Sequence, residues 1–467
     1  MIDLGKTLSK VTLWDRAGQM LDRQVRPNAP VVVEGRQHLD AQGIGRWLIE
    51  ALSHYAAHPV EAIIPVGHGA GVVAIRNGEL AFLPLDYEQA IPDSVMAKYR
   101  GERDPFAVTG SPALPDGLNL GSQLYWLEEL YPATIGEATL LPWAQYWAWF
   151  LSGRAVSEVT SLGCHSDLWA PAEAEFSPLA KRFGWADRFA PLARAGDSVC
   201  TLKPEIVAAT GLPATVRVLA GLHDSNAALH AARGFEEIAD RDLTVLSTGT
   251  WFIAMRRPDG SGDVGILPTG RDCLVNVDVE GCPVPSARFM GGREIESVIK
   301  IDTRRVDIKP DQPALLASVP ALLANGSMLL PTLVPGCGPF PEGTGRWVNE
   351  PDDWFSRRAA MCLYAALVAD VSLDLIGSRG CLLVEGRFAE AEVFVRALAS
   401  LRPNTRVMAA NAHNDVSFGA LRLINPELRP QGDLRQVEPL DDDIPAYREG
   451  WRAALKSALE TTMEHGA

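Results

Sequence analysis

Apolar and polar positions alternate over the first 25 residues in short runs punctuated by turn residues. Met1–Leu4 is apolar, Gly5-Lys6-Thr7 is a turn, and Val11–Trp14 is a β-rich run closed by Asp15-Arg16-Ala17-Gly18. This pattern predicts a β-hairpin leading into a third strand near Met20–Val25. After Asp40 the period changes: Ile44, Trp47, Leu48, Leu52 and Tyr55 share one helical face, and Ala62–Val66 is a short β-run ending in Gly67-His68-Gly69. Beyond residue 100 the spacing of Leu120, Leu124, Leu127 and Tyr131 is helical, and the aromatic run Tyr146–Leu151 reads as core. Strand character returns at Pro213–Leu222 and again at Leu243–Phe252.

The later half repeats this logic. Leu363, Leu367, Val371 and Leu375 mark a long helix, Cys381–Val384 a buried strand, Glu385-Gly386-Arg387 a turn, and Val393, Phe394, Ala397 and Leu401 a further helix. Asp3-Leu4-Gly5-Lys6-Thr7 and Leu246-Ser247-Thr248-Gly249-Thr250 are both apolar strands ending in Gly and a hydroxyl residue. Two copies of one nucleotide-binding half would produce such a pair, with a domain boundary between residues 220 and 245.

At 467 residues the chain is long enough for two or three domains, and 47% hydrophobic with 22% charged residues is the balance of a globular protein. The net charge of −15 comes without any basic cluster, so nucleic acid and anionic membranes are not expected partners. There is no run of about 18 apolar residues to span a membrane and no signal-peptide pattern after Met1, so a cytoplasmic location is expected. The seven cysteines are scattered without a C-x-x-C pair and are expected to be buried free thiols.

Three features can carry chemistry. A tight turn with a glycine and a threonine hydroxyl can receive phosphate oxygens, and two such turns could grip a triphosphate; either turn alone reads more readily as a plain hairpin connection, and it is the pairing that favours phosphate. Asp3, at the end of the first strand, is an oxygen ligand suited to magnesium or its waters. Asp224 lies in Gly221-Leu222-His223-Asp224-Ser225-Asn226-Ala227-Ala228, where a strand gives way to an alanine-rich helix. It could cap that helix, or accept a proton from a hydroxyl that attacks a γ-phosphate.

These segments, taken together, resemble the FGGY family of carbohydrate kinases over roughly residues 1–425. The family opens with D-x-G-T-[ST]-x-x-K, matched here at Asp3, Gly5, Thr7 and Lys10. The segment Gly221–Ala228 resembles its Gly-Gly-x-Asp-x-x-Ala-Ala motif, and Ser247-Thr248-Gly249-Thr250 its second phosphate loop. Trp251 is similar to the rhamnulokinase branch. Leu329–Gly336 resembles an apolar-Pro-x-Leu-x-Gly segment on the nucleotide side, Gly386 an adenosine-binding turn, and Phe418-Gly419-Ala420 a late Gly-Ala helix.

The resemblance implies an α/β, two-domain actin/hexokinase-like (ribonuclease H-like) ATPase fold with a cleft between lobes. It implies a sugar-binding lobe over 1–222, a nucleotide-binding lobe over 223–430, and a C-terminal tail with a helix over 431–467. Asp224 would be the general base. Gly5, Lys6, Thr7, Lys10, Thr248, Gly249, Thr250, Gly336, Glu385 and Gly386 would contact ATP. His68, Asp86 and Asp224 would contact the sugar, and Asp3 with Asp224 would hold Mg²⁺. The partner is then a small sugar, with a homodimer left open.

Departures from the family pattern accompany these matches. Lys6 stands for a usual Thr, Glu385 for a Gly, Cys337-Gly338 for Glu-Arg, and Glu88 for the Arg of a W-x-D-x-R stretch. The activity implied is ATP-dependent phosphorylation of a hydroxyl on a ketose or polyol, rhamnulose-, fuculose- or xylulose-like. The alternative is a non-catalytic ATP- or sugar-binding regulator on the same fold. A hydrolase built on Asp224 would need a second carboxylate motif, and none is present.

Overall fold

The opening hairpin forms where the apolar runs place it, as strands Ile2–Leu4 and Leu8–Trp14 with Met20–Pro27 following. This is a computed structural model, and it describes residues 1–239, 241–259, 264–301, 308–410, 416–430 and 432–465. The chain divides into two compact units. One comprises Met1–Gly234, Leu274–Pro283 and Asn414–Pro430, and the other Phe235–Cys273, Val284–His413 and Gln431–Ala467.

In the first unit the main sheet has five strands, in the order Leu222–His223, Pro65–Gly67, Ile2–Leu4, Leu8–Trp14, Met20–Pro27. The hairpin is antiparallel, with Asp3 opposite Lys10, whereas Pro65–Gly67 runs parallel to Ile2–Leu4 and Leu222–His223 parallel to Pro65–Gly67. Parallel neighbours need a crossover, and part of the first one is the helix Ala41–Ser53. Its N-terminus is capped by Asp40, which accepts from the Gly43 N–H at 2.8 Å. Ile44, Leu48 and Leu52 are buried from its apolar face, in one cluster with Ile2, Leu4 and Val11.

The apolar run at 62–66 does not stay in one sheet. Ala62–Ile63 pairs in parallel with Arg217–Leu219, and two residues later Pro65–Gly67 pairs with Ile2–Leu4 and with Leu222–His223. Both segments therefore step from one sheet to the next at the same level. Gly221 makes the step possible: its φ is +75°, and a Cβ there would lie 2.1 Å from the Pro65 carbonyl oxygen.

In the second unit the sheet places Pro283–Phe289, Phe252–Arg257, Leu243–Thr248, Cys381–Gly386, Arg406–Ala410 and Leu434–Gln436 side by side. Leu243–Thr248 is antiparallel to Phe252–Arg257 and parallel to Cys381–Gly386, which is parallel to Arg406–Ala410. Leaving aside the seventh strand of this sheet, Cys273–Val277, the first five of these strands counted along the chain lie in the order third, second, first, fourth, fifth, which is also the order in the first unit. The repeat suggested by the two Gly–hydroxyl turns is thus a repeat of topology. Strands Leu243–Thr248 and Cys381–Gly386 are buried along nearly their whole length, as expected for parallel strands covered on both faces. Helix Trp354–Leu375 packs on the neighbouring strand Phe252–Arg257 and helix Glu392–Leu401 on Arg406–Ala410.

Among the described residues no helix is long and apolar enough to cross a membrane. Among the described residues the seven cysteines form no disulfide; Cys164, Cys273, Cys362 and Cys381 are buried, Cys282 and Cys337 are partly covered, and Cys200 is exposed.

Candidate active site

Three adjacent parallel strands of the first unit end at one level. Leu4 is in register with Gly67, and Gly67 with His223, so Gly5, His68 and Asp224 are the next residues out from neighbouring strand ends. The carboxyl ends of parallel strands are where open α/β sheets bind ligands, because the connections diverge there.

Asp224 opens the helix Asp224–Ala232, while His223 occupies the cap position. Its Oδ1 accepts from the Ser225 N–H at 2.6 Å and the Ser225 hydroxyl at 3.2 Å, and His223 Nε2 stands 3.2 Å away. The side chain keeps 34% of its exposure. Loss of water around the carboxylate pushes its pKa up to about 6, against the lowering effects of the Ser225 donors and the Lys10 charge. The helix behind it packs on Val416–Arg422, where Gly419 is required: a Cβ there would sit 1.8 Å from the Ala227 oxygen.

Asp3 is buried and its Oδ2 accepts from Lys10 Nζ at 2.9 Å, across the hairpin register. Gly5 closes the hairpin by donating its N–H to the Leu8 oxygen at 3.1 Å, and the Thr7 side chain lies exposed at the turn. Lys6 turns to the sugar-side candidates: Nζ is 2.6 Å from Asp86 Oδ1 and 2.6 Å from Glu88 Oε2, and it lies over the Tyr87 ring at 4.3 Å. Two of the departures noted in the sequence, Lys6 and Glu88, therefore pair with each other. Asp86 is 1% exposed and takes a further bond from the Glu88 N–H.

His68 packs edge-on to Tyr87 and stacked on Trp143. Both ring nitrogens are buried without a partner among the described residues, and burial lowers the pKa to about 3, so the imidazole is neutral. Trp143 was not legible as part of the site, because an aromatic in an aromatic-rich helix reads as core. Its indole N–H donates to the Leu4 oxygen at 2.8 Å and ties down the end of the first strand. The flanking glycines are steric necessities: a Cβ on Gly67 would meet Trp143 at 2.9 Å, and one on Gly69 would meet Cys164 Sγ at 2.5 Å.

In the second unit, Thr248 is in register with Gly386, so Gly249 and Gly386 hold the places that Gly5 and Gly67 hold in the first. Gly249 donates its N–H to the Trp251 oxygen at 2.9 Å. The Thr248 hydroxyl is committed, donating to the Glu385 oxygen at 2.5 Å and accepting from the Phe388 N–H at 3.0 Å; Thr250 is half-buried, with no side-chain partner among the described residues. Glu385 is buried. Its Oε1 accepts from the Ser247 hydroxyl at 2.5 Å, its Oε2 is buried without a partner, and burial pushes its pKa up to about 7. Gly336 lies exposed with φ +78° on the loop after Met328–Leu330. Buried Glu294 anchors that loop by accepting from the Leu333 N–H at 3.0 Å and the Tyr364 hydroxyl at 3.1 Å.

A doubled sheet topology with glycine turns at matching strand ends defines the two-domain actin/hexokinase-like fold. A crystal structure of a carbohydrate kinase from Novosphingobium aromaticivorans is 70% identical to this chain, with a TM-score of 0.94 over 97% of this chain and 99% of that one. The model of the carbohydrate kinase FGGY C-terminal domain matches residues 240–431. The chain belongs to the FGGY carbohydrate kinase family. L-fuculokinase from Salmonella typhi is 30% identical over 325 residues, covering 64% of this chain and 65% of that protein; the chain thus spans just under two thirds of the L-fuculokinases it matches. Xylulose kinase from Rhodospirillum rubrum, 18% identical, shares the fold with a TM-score of 0.76 over 99% of this chain and 98% of that one.

Proposed function

We propose that this chain is an ATP-dependent kinase that phosphorylates a hydroxyl of a ketose or polyol, with Asp224 as general base. The observation that carries this reading is the state of Asp224. One carboxylate oxygen is occupied by local donors, while Oδ2 has no protein donor among the described residues, and the group is partly desolvated. Such an oxygen can take the proton of a substrate hydroxyl. As the O–H bond breaks, the oxygen forms a bond to the γ-phosphorus, the bridging P–O bond to the β-phosphate breaks, and ADP leaves.

The sugar-side residues have the matching chemistry. His68 brings two unpartnered ring nitrogens, one donor and one acceptor in the neutral ring, and aromatic neighbours that suit the apolar face of a sugar. Asp86, held by Lys6 and the Glu88 N–H, offers a fixed carboxylate to further hydroxyls.

On the nucleotide side, the glycine N–H groups are spent inside their turns. What Gly5 and Gly249 offer a phosphate is close approach to a backbone without side chains, beside the Thr7 and Thr250 hydroxyls. Lys10, Gly336 and Gly386 complete this set, and the unpaired Oε2 of Glu385 suits a ribose hydroxyl or an adenine amine. Asp3 and Asp224 are hard oxygen ligands of the kind Mg²⁺ takes, and they would hold it. When bound, Mg²⁺ offsets charge on the phosphates.

The L-fuculokinase relatives put a deoxyketose first among substrates to try. A coupled ADP-release assay with Mg-ATP over a panel of ketoses and polyols tests the reading. Sugar-dependent ADP release supports it; release at the sugar-free rate on every compound, with sugar or nucleotide still bound, would leave the non-catalytic regulator.

A further inference from the structure

The first glycine turn, Gly5-Lys6-Thr7, is gripped by a single residue that lies outside it. Asn28 follows the strand Met20–Pro27 where that strand runs alongside the turn, with Pro27 opposite Leu8 and Arg26 opposite Ser9. Its backbone N–H donates to the Thr7 oxygen at 2.9 Å, and its side-chain Nδ2 donates to the Gly5 oxygen at 2.7 Å and to Ser9 Oγ at 2.8 Å. The carbonyls at both ends of the turn are therefore bonded to one residue. The Lys6 side chain is committed elsewhere, to Asp86 and Glu88.

The Asn28 amide has one orientation open to it. Oδ1 accepts from Arg26 Nη1 at 2.6 Å, and a guanidinium only donates, whereas the Gly5 carbonyl only accepts. Arg26 is fixed in turn: its Nη2 donates to Asp40 Oδ2 at 2.5 Å, and Oδ1 of that carboxylate caps the helix Ala41–Ser53 through the Gly43 N–H at 2.8 Å. A line of hydrogen bonds thus runs from the N-terminus of a helix to the carbonyl of Gly5, and each link orients the next.

We infer that Asn28 is the positioning residue of the first phosphate turn, a role that rests on the kinase reading above. Glycine lets the peptide plane between Gly5 and Lys6 rotate at little cost, and a carbonyl oxygen presented to a phosphate repels it, being the negative end of its dipole. The amide of Asn28 holds that oxygen off the phosphates of ATP, and the bond from its backbone to Thr7 sets where the turn ends.

The test uses the full-length chain and reads nucleotide and sugar separately. Asn28→Asp keeps the shape and the bond from Arg26 but sets a carboxylate oxygen against the Gly5 oxygen, and Asn28→Ala removes the donor without adding charge. Each is expected to raise the ATP KM by about 10-fold, the effect of leaving one carbonyl unpaired, with the sugar KM within about threefold of the parent. Titration calorimetry with Mg-ADP should show the same loss of about 10-fold in affinity. Adenosine carries no phosphate, so its inhibition constant should stay within about threefold of the parental value, which a merely structural role would not give. Thermal melts establish that the variants fold, and Asn28→Ala decides the matter if Asn28→Asp does not.

A parental ATP KM in Asn28→Ala overturns the positioning role. So do equal losses for ATP, adenosine and sugar, the signature of a general loosening. Failure of the kinase reading looks different: the parent releases no ADP with any sugar. If that parent still binds Mg-ADP, the variants are judged on the calorimetric affinity; if it binds none, the positioning role falls with the reading.

Discussion

Replacing Asp224 by Asn keeps the shape of the side chain and removes its ability to take a proton, so it separates a base from a structural acid. The structural contribution can be bounded. Among the described residues the carboxylate accepts only from its neighbour Ser225, and His223 holds the cap position, so Asn forfeits no cap and only a first-turn charge worth about 0.3–1 kcal/mol. Against that, the raised pKa is itself a penalty. A carboxyl whose folded pKa is about 6 and whose ordinary value is 3.8 binds its proton more tightly in the folded state, so ionising it above pH 6 costs stability that an amide does not lose.

The expected Tm of Asp224→Asn at pH 7.5 is therefore equal to or above that of the parent. Loss of base catalysis, in contrast, is worth about 10²–10⁴ in rate, roughly 3–5 kcal/mol of barrier. The assay is steady-state ADP release with saturating Mg-ATP, paired with thermal melts. In the parent, kcat/KM should fall as pH drops through about 6, because the base must be ionised, and this limb should vanish from the residual activity of the variant. A variant that melts like the parent and keeps more than about a tenth of kcat would refute the assignment, since that loss lies below the low end of base catalysis.

Other outcomes follow from the same geometry. Glu385→Gln removes a buried charge whose folded pKa, about 7, lies above its ordinary 4.5; the variant should melt higher than the parent at pH 8, and the gain should fade toward pH 5, as scanning fluorimetry across that range would record. Lys6→Met strands the buried Asp86 carboxylate and should cost about 3–5 kcal/mol in chemical denaturation while raising the sugar KM; unchanged stability would mean the ion pair carries nothing. Gly221→Ala forces a side chain into a left-handed backbone 2.1 Å from the Pro65 oxygen, so soluble yield and Tm should both fall sharply, whereas Gly78→Ala, with positive φ but open space, should cost far less.

Much of the local structure was readable because it rests on nearest-neighbour physics. The period of Ile44, Leu48 and Leu52 marks a helix wherever that segment lies, and Asp40 caps it through its own chain. The Gly–hydroxyl turns at 5–7 and 249–250 announced a duplication for the same reason, as each is a strand end with its own turn chemistry. What the pattern of residues could not carry was partnership between distant segments. The apolar runs at 62–66 and 213–222 look continuous, yet each divides between two sheets, because Gly221 must pass the Pro65 carbonyl. Lys6 and Glu88 looked like two separate departures until their 2.6 Å contact made them one ion pair. That residues 274–283 and 414–430 belong with the first unit is likewise a matter of which surfaces bury each other. Asp224 could be singled out as a candidate from its motif, but the burial that raises its pKa, and the His223 ring 3.2 Å from one of its oxygens, exist only once residues 69 and 160 have been brought around them. Local propensity is written in adjacent residues; desolvation and hydrogen-bond partnership across more than a hundred positions are properties of packing.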